Sequence, residues 1–202
     1  MMELLVATNN AHKLDEYKEI FAGLPIIVTS LADEGILLDP EETGGTFAEN
    51  AVLKANAFAQ VSEKLVLADD SGLEVDALGG EPGVHSARYA HTARDDHMGR
   101  YRIVLDRLAA KNVPWAQRTA RFRCVIALAT RQQVVGTAEG TIEGLIAYDA
   151  KGRNGFGYDP IFYVPEFDKT LAELSSAQKH RISHRGRAAR AAIPLIEQLL
   201  EH

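Results

Sequence analysis

Asp69 and Asp70 stand side by side after the apolar run Leu65-Val66-Leu67, and Ser71-Gly72 follows them. The order predicts a strand that ends in two acids, with Ser71-Gly72 turning the backbone, since Asp, Ser and Gly dominate turns. Acids at an open strand end can hold a divalent cation and polarise a water. Hard oxygen donors of this kind suit Mg²⁺, which is bound through one or two carboxylates plus substrate phosphates. Neighbouring carboxylates also titrate as a pair, so which is base and which is ligand stays open at this point. A plain turn would use the same residues, so the companions have to decide between the two.

Thr8-Asn9-Asn10-Ala11-His12-Lys13 sits where a first strand gives way to a first helix. A helix N-terminus favours anions. Lys13 in the first turn is misplaced for helix stability, because cations belong at the other end; gripping phosphate would explain it. The loop is not a P-loop, as the spacing Gly-x₄-Gly-Lys-Ser/Thr is absent. Glu42 offers a further metal carboxylate, and Lys54 a phosphate clamp among small apolar neighbours. In Gly155-Phe156-Gly157-Tyr158-Asp159-Pro160 two glycines flank a ring. They would let backbone approach a ligand while Phe156 stacks on a base, worth about 1–3 kcal/mol; a tight turn with Phe156 packed inward is the alternative. Lys179-His180-Arg181-Ile182-Ser183-His184-Arg185 is rich in donors that could read base acceptors and hold phosphate. His180 and His184 have a spacing that suits zinc on one helix, but the glutamate of His-Glu-x-x-His is missing.

The elements that position these groups can be read in order. Leu4-Leu5-Val6-Ala7 predicts a buried strand, and Leu14, Tyr17, Phe21 and Leu24 recur at helical spacing. Pro25-Ile26-Ile27-Val28 predicts a second strand, followed by a Gly- and acid-rich loop over 32–45. Thr46-Phe47-Ala48-Glu49 is a capping box. Its helix would place Phe47, Ala51, Ala55 and Phe58 on one face, and Asn50 and Lys54 together on another. Leu73 to Leu78 alternates like a further strand, and residues 94–111 predict a helix. Long strands are expected at 119–129 and 133–147, a short one at Ile161-Phe162-Tyr163, and a terminal helix from about Ser183 that Pro194 interrupts. The alternation suggests a mixed α/β (α+β) fold: an elongated mixed sheet flanked by helices, one domain over 1–202 of two lobes with a central substrate cleft.

Composition narrows the classes. At 202 residues, with 46% apolar and 25% charged side chains, the chain can bury a sizeable core. Cys124 is the only cysteine, so no internal disulfide is possible and a reducing, cytoplasmic setting is expected. No apolar run approaches the roughly 18 residues that span a membrane, and the N-terminus lacks the layout of a signal peptide. A net charge of −6 disfavours a general nucleic-acid binder.

Six motifs, in order, resemble those of the inosine-triphosphate pyrophosphatase family, whose members are also called dITP/XTP pyrophosphatases. They are Thr8-Asn9-Asn10-x-x-Lys13, Glu42-Thr43-Gly44-x-Thr46-Phe47-x-x-Asn50-Ala51-x-x-Lys54-Ala55, Ala68-Asp69-Asp70-Ser71-Gly72-Leu73, Pro82-Gly83-x-x-Ser86-Ala87-Arg88-Tyr89, Gly155 to Pro160, and Ser183-His184-Arg185. The resemblance covers nearly the whole chain. It implies a two-lobed α/β homodimer, dependent on Mg²⁺, that hydrolyses deaminated purine nucleoside triphosphates (ITP, dITP, XTP) to monophosphate and pyrophosphate. Asp70 matches the catalytic acid and metal ligand, and Glu42 a metal-site carboxylate. Thr8 to Lys13 match the phosphate loop, and Ser71, Phe156, Gly157, Tyr158, Asp159, Lys179, His184 and Arg185 match substrate contacts. His91, Asp95, Asp96 and His97 depart from the asparagine-containing pattern expected after Tyr89.

The residues agree with that resemblance. Lys13, Lys54, Lys179 and Mg²⁺ would share the charge of a triphosphate, and Asp70, helped by Asp69 or Glu42, would activate a water for attack on the α-phosphorus. His184 and Arg185 would reward the 6-oxygen of hypoxanthine or xanthine over the amino group of adenine. Three other classes share some of these residues. An aspartic protease shares Asp-Ser-Gly but needs a nearly all-β fold; a non-catalytic nucleotide or nucleic-acid module would also use Phe156 and the basic stretch. A pyrophosphatase for modified pyrimidines is separable only by substrate profiling.

Overall fold

The computed structural model describes residues 2–93 and 95–200. Strands β1 (Met2–Val6), β2 (Ile26–Ser30), β3 (Leu65–Val75), β4 (Thr119–Ala129), β5 (Val134–Ile146), β6 (Phe162–Val164) and β7 (Lys169–Thr170) join in a mixed sheet of order β2-β1-β3-β4-β5-β6-β7. β1 pairs in parallel with β2 and β3, while β5-β6 and β6-β7 are antiparallel. Helices α1 (Ala11–Ile20), α2 (Phe47–Ala59), α3 (His97–Ala110), α4 (Ser176–Ile182) and α5 (His184–Leu200) complete the mixed α/β fold that the alternation predicts.

The chain packs as two compact units. The first comprises residues 1–70, 124–140 and 184–202, and the second 71–123 and 141–183. Each has its own apolar core. In the first, Leu4, Val6, Leu65 and Leu67 meet Tyr17 of α1, Phe21 just after it, and Ala188, Ala189, Ala192 and Ile196 of α5. In the second, Leu73 and Val75 join Val104 and Leu108 of α3 with Phe122, Ile146 and Phe162.

Four expectations change. β3 does not end at the acids: it runs unbroken through Asp69, Asp70, Ser71 and Gly72 to Val75, and the chain turns only at Asp76–Leu78. Local turn preference is weak against pairing in a sheet whose residues here are nearly all buried. Pro194 does not interrupt α5, which continues to Leu200 because Ala188, Ala189, Ala192 and Ile196 bury its face on both sides of the proline. His180 and His184 do not share a helix, since Ser183 caps α4 in an extended conformation (ψ 157°) before α5 begins. The helix expected over 94–111 starts at His97 behind an Asp96 cap, and its expected first residue, Arg94, lies outside the described residues.

Candidate active site

The open end beside the acids is made by the neighbouring strand. β1 pairs with β3 only as far as Val6–Leu67, with one more hydrogen bond from the Ala7 amide to the Leu67 carbonyl (2.8 Å). The chain then leaves the sheet. Thr8 Oγ1 accepts from the Asn10 amide (3.2 Å), and Asn10 caps α1 by accepting from the Lys13 amide (3.3 Å). Ligand sites in open parallel sheets form at the carboxyl ends of the strands, and Asp69 and Asp70 lie on β3 just past such an end. Asn9 donates to Asp39 (3.4 Å), and Ala11 and His12 are exposed on the first turn.

Lys13, misplaced for the helix, reaches back to Asp69, with Nζ 2.9 Å from Oδ2. The same carboxylate receives Arg185 (3.4 Å) and the Cys124 thiol (3.6 Å). Burial raises the Asp69 pKa, but Lys13, Arg185 and Lys54 outweigh it and hold the group well below the usual carboxylate range. Arg185 is 1% exposed, and its second nitrogen donates to Glu16 Oε2 (2.6 Å). Burial disfavours the Arg185 charge, yet Glu16 and Asp69 overcompensate and raise its pKa.

Asp70 has different company. The Thr46 capping box sets the start of α2, and Phe47, Ala51, Ala55 and Phe58 bury one face of that helix as expected. Asn50 and Lys54, one turn apart, both reach Asp70: Asn50 Nδ2 donates to Oδ2 (3.1 Å) and Lys54 Nζ to Oδ1 (3.3 Å). Lys54 also holds Glu42 Oε1 at 2.8 Å. Desolvation disfavours the Lys54 charge, but Asp70, Asp69 and Glu42 together raise its pKa. Asp70 keeps a raised pKa, because burial outweighs Lys54 and Lys13 and the Glu42 charge adds to the effect. The two adjacent acids are thus driven apart: Asp69 is a firmly ionised anchor, Asp70 a more basic carboxylate.

The second unit holds another cluster. Asp159 accepts from the Phe156 amide and from Lys179 Nζ, both at 2.7 Å. Lys179 Nζ lies 4.9 Å from the centre of the half-buried Phe156 ring, within cation–π range. His97 meets that ring edge-on with centroids 6.3 Å apart. Gly155 (φ +71°) cannot carry a side chain, because a Cβ would stand 2.1 Å from Asp159 Oδ2. Tyr158 is buried and donates to the Ser86 carbonyl (2.8 Å), while Ser71 lies half-buried within β3.

The profile of the Ham1 family matches residues 4–195. The chain belongs to the Ham1 family. Among curated Ham1 relatives, the dITP/XTP pyrophosphatase of Bacillus subtilis (strain 168) is 47% identical over 98% of each chain. That of Desulforamulus reducens is 46% identical over 100% of this chain and 98% of the relative. A solved HAM1 protein from Coxiella burnetii superposes with a TM-score of 0.84 at 41% identity, covering 100% of both chains. The Staphylococcus aureus Ham1 protein gives 0.80 at 44% identity over 98% of each. The resemblance read from the six motifs is therefore a true family membership.

Within this Ham1 chain, the residues past the end of β1 suit a hard cation. Lys54 already places one ammonium against both Glu42 and Asp70. Among the described residues no three His, Cys, Asp or Glu side chains converge as a ready cage. Sequence reasoning left Glu16 and Asn50 outside the site. Spacing held a signal for both: Glu16 is three residues from Lys13 on α1, and Asn50 four from Lys54 on α2.

Proposed function

We propose that this chain hydrolyses deaminated purine nucleoside triphosphates (ITP, dITP and XTP) to the monophosphate and pyrophosphate, removing deaminated purines from the nucleotide pool. The observation that carries the reading is the placing of Asp70 between Lys54 and Asn50, facing Glu42, just past the end of β1. The names of the relatives supply the substrate class.

In this reading Asp70 and Glu42 hold Mg²⁺. Bound there, the ion would neutralise phosphate charge and lower the pKa of a coordinated water. Asp70, whose burial makes it more basic than its neighbour, takes the proton of the water that attacks the α-phosphorus. Thr8 to Lys13 and Lys54 receive the phosphates. Asp69, placed in the metal set by the sequence, is better employed orienting Lys13, since two cations already occupy it.

In the second unit Phe156 stacks on the base, and Ser71, Gly157, Tyr158, Asp159 and Lys179 complete the substrate contacts, with Tyr158 and Asp159 acting from beneath as braces. His184, at the start of α5, reads the 6-oxygen. The guanidinium of Arg185 is committed to Glu16 and Asp69, and its part in this reading is to hold Asp69 ionised beside Lys13. A homodimer and a cytoplasmic setting belong to the same reading; no helix among the described residues is long and apolar enough to cross a membrane.

The test is hydrolysis of ITP, XTP, GTP and ATP with Mg²⁺, scoring pyrophosphate against orthophosphate. Pyrophosphate from ITP and XTP, with little from ATP and GTP, is expected, and Asp70→Asn should lower turnover by at least about 100-fold with the fold intact. Orthophosphate as product, or an active Asp70→Asn, sinks the assignment.

A further inference from the structure

We infer that Asn50 is a positioning residue of this site: one end of its amide fixes the carboxylate of Asp70, and the other clasps the loop that carries Glu42. The inference rests on the roles just proposed for those two acids. Asn is a poor residue for a helix interior, and its place in α2 therefore asks for a reason. The side chain is 2% exposed, so its donors and acceptor must be satisfied by protein.

Both ends are engaged. Nδ2 donates to Asp70 Oδ2 at 3.1 Å, and Oδ1 accepts from the Gly44 amide at 2.8 Å. A carboxylate only accepts and a backbone N–H only donates, so a single orientation of the amide suits both partners. An aspartate would set a carboxylate against Asp70, and a leucine would offer neither bond.

The consequence is geometric. With Oδ2 held by Asn50, the carboxylate of Asp70 is fixed in rotation and its Oδ1 faces Lys54, which also holds Glu42. Glu42 lies two residues before Gly44, in a stretch without regular structure, so the clasp at Gly44 sets where that carboxylate can stand. The approach is close enough to need a bare backbone. A Cβ on Gly44 would lie 2.7 Å from Asn50 Oδ1 and 2.7 Å from Glu49 Cβ.

Two variants separate the arms. Asn50→Leu removes both, and Gly44→Ala breaks only the loop arm. In metal-free protein, hydrogen exchange over residues 41–46 reports the clasp, because the Gly44 amide is the donor. Both variants should speed exchange there while leaving β3 protected. One lost hydrogen bond to a charged or loop partner is worth about 1–2 kcal/mol, or roughly 5- to 30-fold. Asn50→Leu should therefore lower kcat for ITP by at least about 10-fold, and saturating Mg²⁺ should not restore it. Gly44→Ala should chiefly raise the Mg²⁺ concentration for half-maximal rate, by about 5-fold, with kcat at saturating Mg²⁺ above that of Asn50→Leu.

Unchanged exchange in both variants, or an unchanged Mg²⁺ requirement in Gly44→Ala, overturns the inference, and the second variant decides if Asn50→Leu does not fold. Asp70→Asn is run beside them. Full turnover in Asp70→Asn is a failure of the proposed site; lost turnover there, with both variants like wild type, is a failure of the role given to Asn50.

Discussion

Arg185 offers the sharpest test of how charge is arranged in the first unit. The sequence makes it a donor to the base; the structure buries it at 1% exposure between Glu16 (2.6 Å) and Asp69 (3.4 Å). Arg185→Met removes the cation and keeps an apolar side chain of similar reach. Glu16 and Asp69, 8% and 3% exposed, then lose a counter-charge they cannot replace with water. Removing one partner of a buried ion pair costs about 3–5 kcal/mol. Asp69 keeps Lys13, so most of the loss falls on Glu16. For a chain of this size each kcal/mol shifts the melting midpoint by about 2–4 °C, giving a fall of roughly 6–20 °C. Arg185→Lys, which keeps the charge but not the two-pronged geometry, should fall between. The double variant Arg185→Met with Glu16→Leu should recover part of the loss, because an apolar replacement of a whole buried pair is often tolerated. Thermal melts of the four proteins decide the energetics, and ITP-to-ATP turnover ratios of the folded variants decide the role. A midpoint for Arg185→Met within about 2 °C of wild type, together with a collapsed ratio, would refute the reasoning and return Arg185 to the base.

Other outcomes follow from the same geometry. Phe156→Ala should raise KM for ITP by roughly 5- to 150-fold, the equivalent of about 1–3 kcal/mol of lost stacking, with kcat changed far less; an unchanged KM would assign the ring to packing. The depressed Asp69 pKa gives stability that is fully present above the unfolded carboxylate value and is lost as pH falls through the folded one. The stability gap between wild type and Asp69→Asn should accordingly stay level from about pH 5 to 8 and close below about pH 4, as read by denaturant melts; a gap that widens in acid contradicts the assignment. Cys124, fully buried with its thiol pushed up to about 12 by burial and the Asp69 charge, should resist alkylation until the chain unfolds, so rapid labelling at neutral pH would show that the first core opens.

Local sequence signals carry most of the elements and the chemistry on offer. Periodicity located β1, β2, β4, β5, α1, α3 and α5, the Thr46 capping box located the start of α2, and the four-residue spacing of Asn50 and Lys54 put both on one face, the one that meets Asp70. These are local signals, carried by neighbours along one helix or strand. Which charge faces which is settled by packing between elements. Asp69 and Asp70 are adjacent in the sequence and identical in type, yet alternation along β3 sends them to different partners: Lys13 and Arg185 for one, Asn50 and Lys54 for the other. The open end beside them is made by β1 stopping at Val6, a fact of pairing that no local turn signal contains. Arg185 reads as a donor to the base in the sequence, and its burial depends on Glu16, 169 residues away along the chain. Pairings across such distances are set by packing, and it is packing that turns a list of acids and lysines into one firmly ionised anchor and one basic carboxylate.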